Sequence, residues 1–191
     1  MLKTTINRVR RNHGLEHATI HVLSEKFTGF SAQGNSDHHG FSLNVYGDIS
    51  EEEVATAVHE AYRRLRAGQR GLAVHPNCGT GLITTAIMAT LAAQLVFGVE
   101  NHRHQGKEDR LSVLFNTGPL AVLMVVLAII VSRPLGMHLQ ERYTTDGNPG
   151  DLVITRIERV QPSLVTRLFQ LLLVGGRAAY RPRAYRITTQ G

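Results

Sequence analysis

Two stretches without a single charged side chain constrain this chain more than anything else in it. Gly79–Val99 and Leu111–Ser132 are uncharged throughout, and in the second only Asn116 is strongly polar. At about 1.5 Å per helical residue, each is long enough to cross a hydrocarbon core of about 30 Å. The mean hydropathy of −0.10 hides both, because the rest of the chain is polar and rich in Arg. Glu100–Arg110 links them, which predicts an antiparallel pair of spans. The first span is rich in Gly, Ala and Thr, so a neighbouring helix or a second copy of the chain can approach it closely. The second is bulkier from Leu120 to Ile130 and suits contact with lipid.

With 42% hydrophobic and 19% charged residues, the chain is neither disordered nor collagen-like. Cys78 is its only cysteine, which excludes an internal disulfide framework and an all-cysteine zinc site. Arg63, Arg64, Arg66, Arg70, Arg133 and Arg142 flank the outer ends of the spans, against Arg103, Lys107 and Arg110 in the link. That bias predicts an inner-membrane protein with both termini in the cytoplasm. The polar first fifteen residues lack the apolar core of a signal peptide. The net charge of +6 comes mainly from Arg133–Gly191. Beside two spans, a basic tail meets anionic headgroups more readily than nucleic acid. With no Trp and 6% aromatic residues, there are few platforms on which bases could stack.

The expected fold is a membrane α+β protein. A transmembrane hairpin over 79–132 (79–99 and 111–132) joins a cytoplasmic α+β module built from the N-terminal half, 1–78, and the tail, 133–191. Within 1–78, the periodicity predicts a helix over Asn12–Phe27 ended by Gly29. A β-hairpin follows, with strands Phe30–Gln33 and Gly40–Tyr46 around the turn-rich Gly34–His39. Ser50 and Glu53 form a capping box that starts a helix over Glu51–Ala67, with Val54, Ala57, Val58, Ala61 and Leu65 as its apolar stripe. In the tail, Arg133-Pro134 is expected to close the second span. Strands are expected over Leu152–Val160 and Ala184–Thr189. An amphipathic helix over 162–174 either lies in the membrane interface or packs on the soluble part.

The most informative stretch is His13-Gly14-Leu15-Glu16-His17, continued by His21. Four residues advance a helix by about 400°, so His13, His17 and His21 share one face. Two histidines at i and i+4 can place nitrogens on one Zn²⁺ at about 2.0–2.1 Å. Glu16, one turn from His13, is placed to take a proton from a water polarised by such an ion. His21, His59, Glu60 and His75 are the candidates to complete the ligand set, with His38 and His39 in the hairpin turn as further possibilities. His102 and His104 fall in the link, across the membrane under the predicted topology. His75-Pro76-Asn77-Cys78 is either a ligand pair with a reactive thiol or a rigid cap on the first span. Neither span contains a histidine to ligate haem or pigment.

The H-x-x-E-H order of His13, Glu16 and His17 resembles that of the inverzincin metallopeptidases. The resemblance implies that the two histidines bind zinc and that Glu16 is the base. It also implies a downstream glutamate as third ligand, whose counterpart here is Glu60, closer to the motif than in that family. The pattern Asn12-His13-Gly14-Leu15-Glu16-His17-Ala18, then His75-Pro76-Asn77-Cys78-Gly79-Thr80, then paired spans, resembles a bacterial membrane family of unknown function, known mainly from photosynthetic and related groups. Two functions are therefore expected in competition. One is a membrane-anchored, zinc-dependent hydrolase of peptidase type, working on a peptide or lipid-linked group near the inner membrane surface. The other is a non-catalytic accessory subunit of a larger photosynthetic or respiratory membrane complex.

Overall fold

The sheet is assembled from both ends of the chain. A computed structural model describes residues 2–104, 110–164, 166–168 and 182–191. The elements run α1 (Leu2–Lys26), β1 (Ser31–Asp37), β2 (Gly40–Tyr46), α2 (Glu51–Arg66), a 3₁₀ turn (Arg70–Ala73), α3 (Gly79–His104), α4 (Arg110–Leu139), a π turn (Gln140–Thr144), β3 (Val153–Val160) and β4 (Arg183–Gln190). They form two units: Met1–His75 with Glu141–Gly191, and Pro76–Gln140. Most of the amphipathic helix expected over 162–174 falls outside the described residues, as does the middle of the link.

In the first unit the four strands are antiparallel in the order β1-β2-β4-β3. Alternation decides which face is buried. Phe41, Leu43 and Val45 of β2 point to the same side as Tyr185 and Ile187 of β4, and Phe41 stands opposite Ile187 and Leu43 opposite Tyr185. α1 and α2 bring Leu15, Ala18, Val22 and Leu23, and Val54, Ala57, Val58, Ala61 and Leu65, into that core. The stripe predicted for α2 is thus the buried one, and its capping box forms as the sequence suggests, with the Ser50 side chain accepting from the Glu53 N–H and the Glu53 carboxylate accepting from the Ser50 N–H.

Two expectations for this unit are corrected. α1 begins at Leu2, ten residues before the expected start. Its polar first half stays helical because its arginines find main-chain acceptors elsewhere: Arg8 on Thr189, and Arg10 on Arg142 and Thr145. The β hairpin is also longer. Gly34, Asn35 and Ser36 pair with Leu43, Ser42 and Phe41, so the turn shrinks to His38-His39. Gly40 closes it at φ +143, where a Cβ would lie 1.9 Å from the Ile187 carbonyl oxygen.

The second unit is α3 against α4. Small residues set the approach: a Cβ on Gly136 would come within 3.0 Å of the Gly81 backbone, and the Thr85 and Ser132 hydroxyls share a hydrogen bond of 2.7 Å. Large apolar side chains point outward instead, among them Ile83, Leu91 and Leu95 on α3 and Val122, Leu123 and Ile130 on α4. Both helices are long and apolar enough to cross a membrane, over Gly79–His102 and Leu114–Thr144. The expected stop at Arg133-Pro134 is corrected: α4 runs through Pro134 to Leu139 and ends in the π turn. Proline removes one main-chain donor from a helix, and apolar helices of this length carry such a gap more often than soluble ones do.

A candidate metal centre on the first helix

Helical spacing sets the stripe and the fold adds a fourth ring. His13, His17 and His21 follow one another on α1, and the 3₁₀ turn delivers His75 beside them. The rings of His13 and His17 are 4.4 Å apart between centroids, those of His21 and His75 5.1 Å, and those of His17 and His75 5.9 Å. One nitrogen of His13 and one of His17 lie within 4.8 Å of each other. Two nitrogens on a tetrahedral zinc are about 3.3 Å apart, so a small ring rotation brings them into range.

Three main-chain carbonyls orient these rings. His13 Nδ1 donates to the Thr144 carbonyl at 2.9 Å and His17 Nδ1 donates to that of Ala73 at 2.8 Å. A carbonyl oxygen only accepts, so Nδ1 carries a proton in both, and in the neutral ring that a metal needs the lone pair is on Nε2. His21 is the reverse: its Nε2 donates to the Val74 carbonyl at 2.9 Å, leaving the lone pair on Nδ1. Metal-binding histidines are commonly held in this way, one nitrogen donating to a carbonyl while the other faces the ion. Burial, and then the neighbouring His21 and His17, lower the His75 pKa to about 4, so its ring is neutral at neutral pH. A neutral imidazole is the ligating form.

The residues around the stripe explain its local sequence. Gly14 makes room for the segment that carries Thr144: a Cβ there would lie 2.2 Å from the Asp146 carbonyl oxygen. The Asp146 N–H donates to the Arg10 carbonyl, and Arg10 donates in turn to Arg142 and Thr145. Asn12 is fully buried, donating to the Asp37 carbonyl and accepting from the Thr189 hydroxyl. It ties α1 to the β1–β2 turn and to β4.

Glu16 is 4% exposed and lies against β1, where the Ser36 hydroxyl donates to its carboxylate at 2.5 Å. The fit is close: a Cβ on Gly34 would stand 2.0 Å from Oε1 of Glu16. Burial pushes its pKa up, while the Ser36 hydrogen bond and the charge of nearby His13 pull the other way. A buried carboxyl with a raised pKa, one turn from His13 and adjacent to His17 in the chain, has the character of a proton acceptor.

The structure places two candidate ligands, His59 and Glu60, apart from the stripe. His59 and Glu60 lie on α2 beside Val22, Glu25 and Lys26, lining a cleft with Thr56 and Arg63. Val22 and Lys26 are on the side of α1 away from His13 and His17. The Glu60 carboxylate is also engaged by Arg63 at 2.7 and 2.8 Å. His38 and His39 stack on each other at the tip of the β1–β2 turn. Sequence reasoning missed Thr144, Ala73 and Val74 as orienting carbonyls, and Ser36 and Gly34 as the seat of Glu16. A main-chain acceptor leaves no mark on residue type, whereas Gly14 inside a helix was a visible sign of close approach.

An α+β unit with a carbonyl-oriented histidine stripe, in a chain that also carries two apolar helices of membrane-spanning length, defines the class of protein. The chain belongs to the domain of unknown function (DUF6391) family, whose model matches residues 8–157. That range takes in the stripe and both apolar helices. The chain is also similar to an uncharacterised protein of the cyanobacterium Picosynechococcus sp. (strain PCC 7002), with 31% identity over 179 residues, covering 80% of this chain and 82% of the relative. No solved structure matches it.

Proposed function

We propose that this chain is a membrane-anchored, metal-dependent hydrolase. A divalent ion, zinc by its preference for nitrogen donors in tetrahedral sites, is held through Nε2 of His13 and His17. An ion held there would supply Lewis-acid polarisation of a substrate carbonyl or phosphoryl group and of an attacking water. Glu16 accepts the proton of that water, with Ser36 holding its carboxylate in place. The two apolar helices anchor the protein in the bacterial inner membrane with both termini in the cytoplasm, and the substrate is a peptide or lipid-linked group at that surface. The observation that carries the reading is the pair of Nδ1–H donations from His13 and His17 to main-chain carbonyls, which leaves Nε2 as the ligating atom of each ring on adjacent turns of one helix. The order His13, Glu16, His17, matching a known metallopeptidase motif, supports it further.

Glu16→Gln separates chemistry from binding. The variant is expected to keep the bound metal of the parent and to lose at least a hundredfold in hydrolysis of a quenched-fluorescent peptide library or a chromogenic ester. Equal hydrolysis by parent and variant would remove Glu16 from the mechanism.

A second function is favoured by the close seating of Glu16, which is buried, bonded to Ser36 and pressed against Gly34. A carboxylate so enclosed also suits a structural role, and the chain is then a non-catalytic subunit whose small-residue α3 packs on a membrane partner. A stoichiometric partner that co-purifies in mild detergent, together with no hydrolysis by the parent protein, would favour this function.

A further inference from the structure

The histidine stripe is too long for one ion. His13 and His21 are eight residues apart on α1, which separates their backbones by about 12 Å along the helix axis. Each ring is also tied at its own end, His13 to Thr144 and His21 to Val74. Two imidazoles on one tetrahedral ion have ring centres roughly 5 Å apart, given metal–nitrogen distances near 2.0–2.1 Å. Two pairs come close to that spacing: His13 with His17 at 4.4 Å, and His21 with His75 at 5.1 Å. The contact that joins one pair to the other, His17 with His75, is wider at 5.9 Å.

The hydrogen-bonded nitrogen changes in the same place. His13 and His17 donate from Nδ1, so as neutral ligands they would bind through Nε2 at the far end of the ring, whereas His21 donates from Nε2 and would bind through Nδ1, nearer the backbone. One ion would have to meet both kinds of nitrogen across two helical turns. From this geometry we infer a second metal position on the same stripe, formed by His21 and His75, so that α1 carries two divalent ions in tandem. The second position is all nitrogen, which selects zinc, cobalt, nickel or copper over magnesium or calcium. With two protein nitrogens, its remaining ligands are water, and its ion exchanges with solvent. The inference rests on the metal reading of His13 and His17, and it adds a distinct site with its own residues.

Full-length protein in detergent, stripped with chelator and freed of any affinity tag, is titrated with Co²⁺, followed by visible absorption and by elemental analysis after gel filtration. The parent is expected to bind two equivalents. His21→Gln keeps an amide N–H for the Val74 carbonyl and removes the ligand, and with His75→Ala it is expected to bind one. His13→Asn combined with His17→Asn, which preserves donors to Thr144 and Ala73, is also expected to bind one, now at His21 and His75. A parent that binds one equivalent, whether or not the His21 and His75 substitutions abolish it, would overturn the tandem site while leaving a single metal centre. A parent that binds none would overturn both proposals. Far-UV circular dichroism on each variant separates a lost site from a lost fold.

Discussion

At the scale of single residues, the N-H-G-L-E-H-A segment is a set of close fits around its chemistry. Asn12 ties α1 to two parts of the sheet, Gly14 admits the segment bearing Thr144, and Ala18 is fully buried in the core. Gly14→Ala tests the second of these. A Cβ 2.2 Å from the Asp146 oxygen forces the segment outward, so stability is expected to fall by about 1–3 kcal/mol in urea unfolding followed by circular dichroism. Metal affinity should fall with it, because His13 loses its orienting carbonyl; a variant as stable as the parent would show that the segment moves at no cost. Asp37 offers a pH test. Burial works to raise its pKa, but two Arg186 hydrogen bonds, the His39 N–H and the charge of Arg186 outweigh it and leave it lowered. A lowered carboxyl adds stability above its unfolded pKa, near 3.8, which is lost as pH falls through the folded value. Asp37→Asn is therefore expected to lower the melting temperature at pH 7 and to leave it near that of the parent at the acidic end of the titration.

At the scale of elements, α2 is the clearest case of a helix set by its own sequence. Its capping box satisfies free N–H groups at its start, and its apolar stripe is the face that meets the sheet. Ser50→Ala is expected to cost about 1 kcal/mol, read by urea unfolding, with metal content unchanged because the histidines of the stripe lie outside α2. α2, β2 and the two apolar helices were legible because each follows a strong period or an uncharged run. The start of α1 was not, because its arginines are stabilised by carbonyls of Arg142, Thr145 and Thr189, more than a hundred residues away. β1 extends past its expected end for a similar reason: Gly34-Asn35-Ser36 reads as a turn, yet pairing with Phe41–Leu43 and the seat of Glu16 hold it extended. The site divides the same way. His13, His17 and His21 follow from helical spacing, while choosing His75 over His59 and Glu60 required knowing which side of α1 the chain returns to.

At the scale of the whole molecule, the first unit is closed by the tail, since β4 lies between β2 and β3 and carries Tyr185 and Ile187 into the core beside α1 and α2. The residues that orient the histidines come from both parts of that unit, Ala73 and Val74 from the N-terminal part and Thr144 from the part that follows α4. A histidine site assembled in this way forms only when the unit has folded, so under the proposed function metal binding and folding would be linked, and a bound ion would stabilise the folded state. The most direct measurement of the central claim is the metal content of untagged, full-length protein purified in detergent and equilibrated with zinc, beside the His13→Asn, His17→Asn double variant. The parent should retain at least one equivalent per chain, and the variant should lose the ion that His13 and His17 hold while keeping its circular dichroism spectrum. A parent that emerges free of metal, or a variant that holds as much as the parent, would contradict a metal centre at His13 and His17.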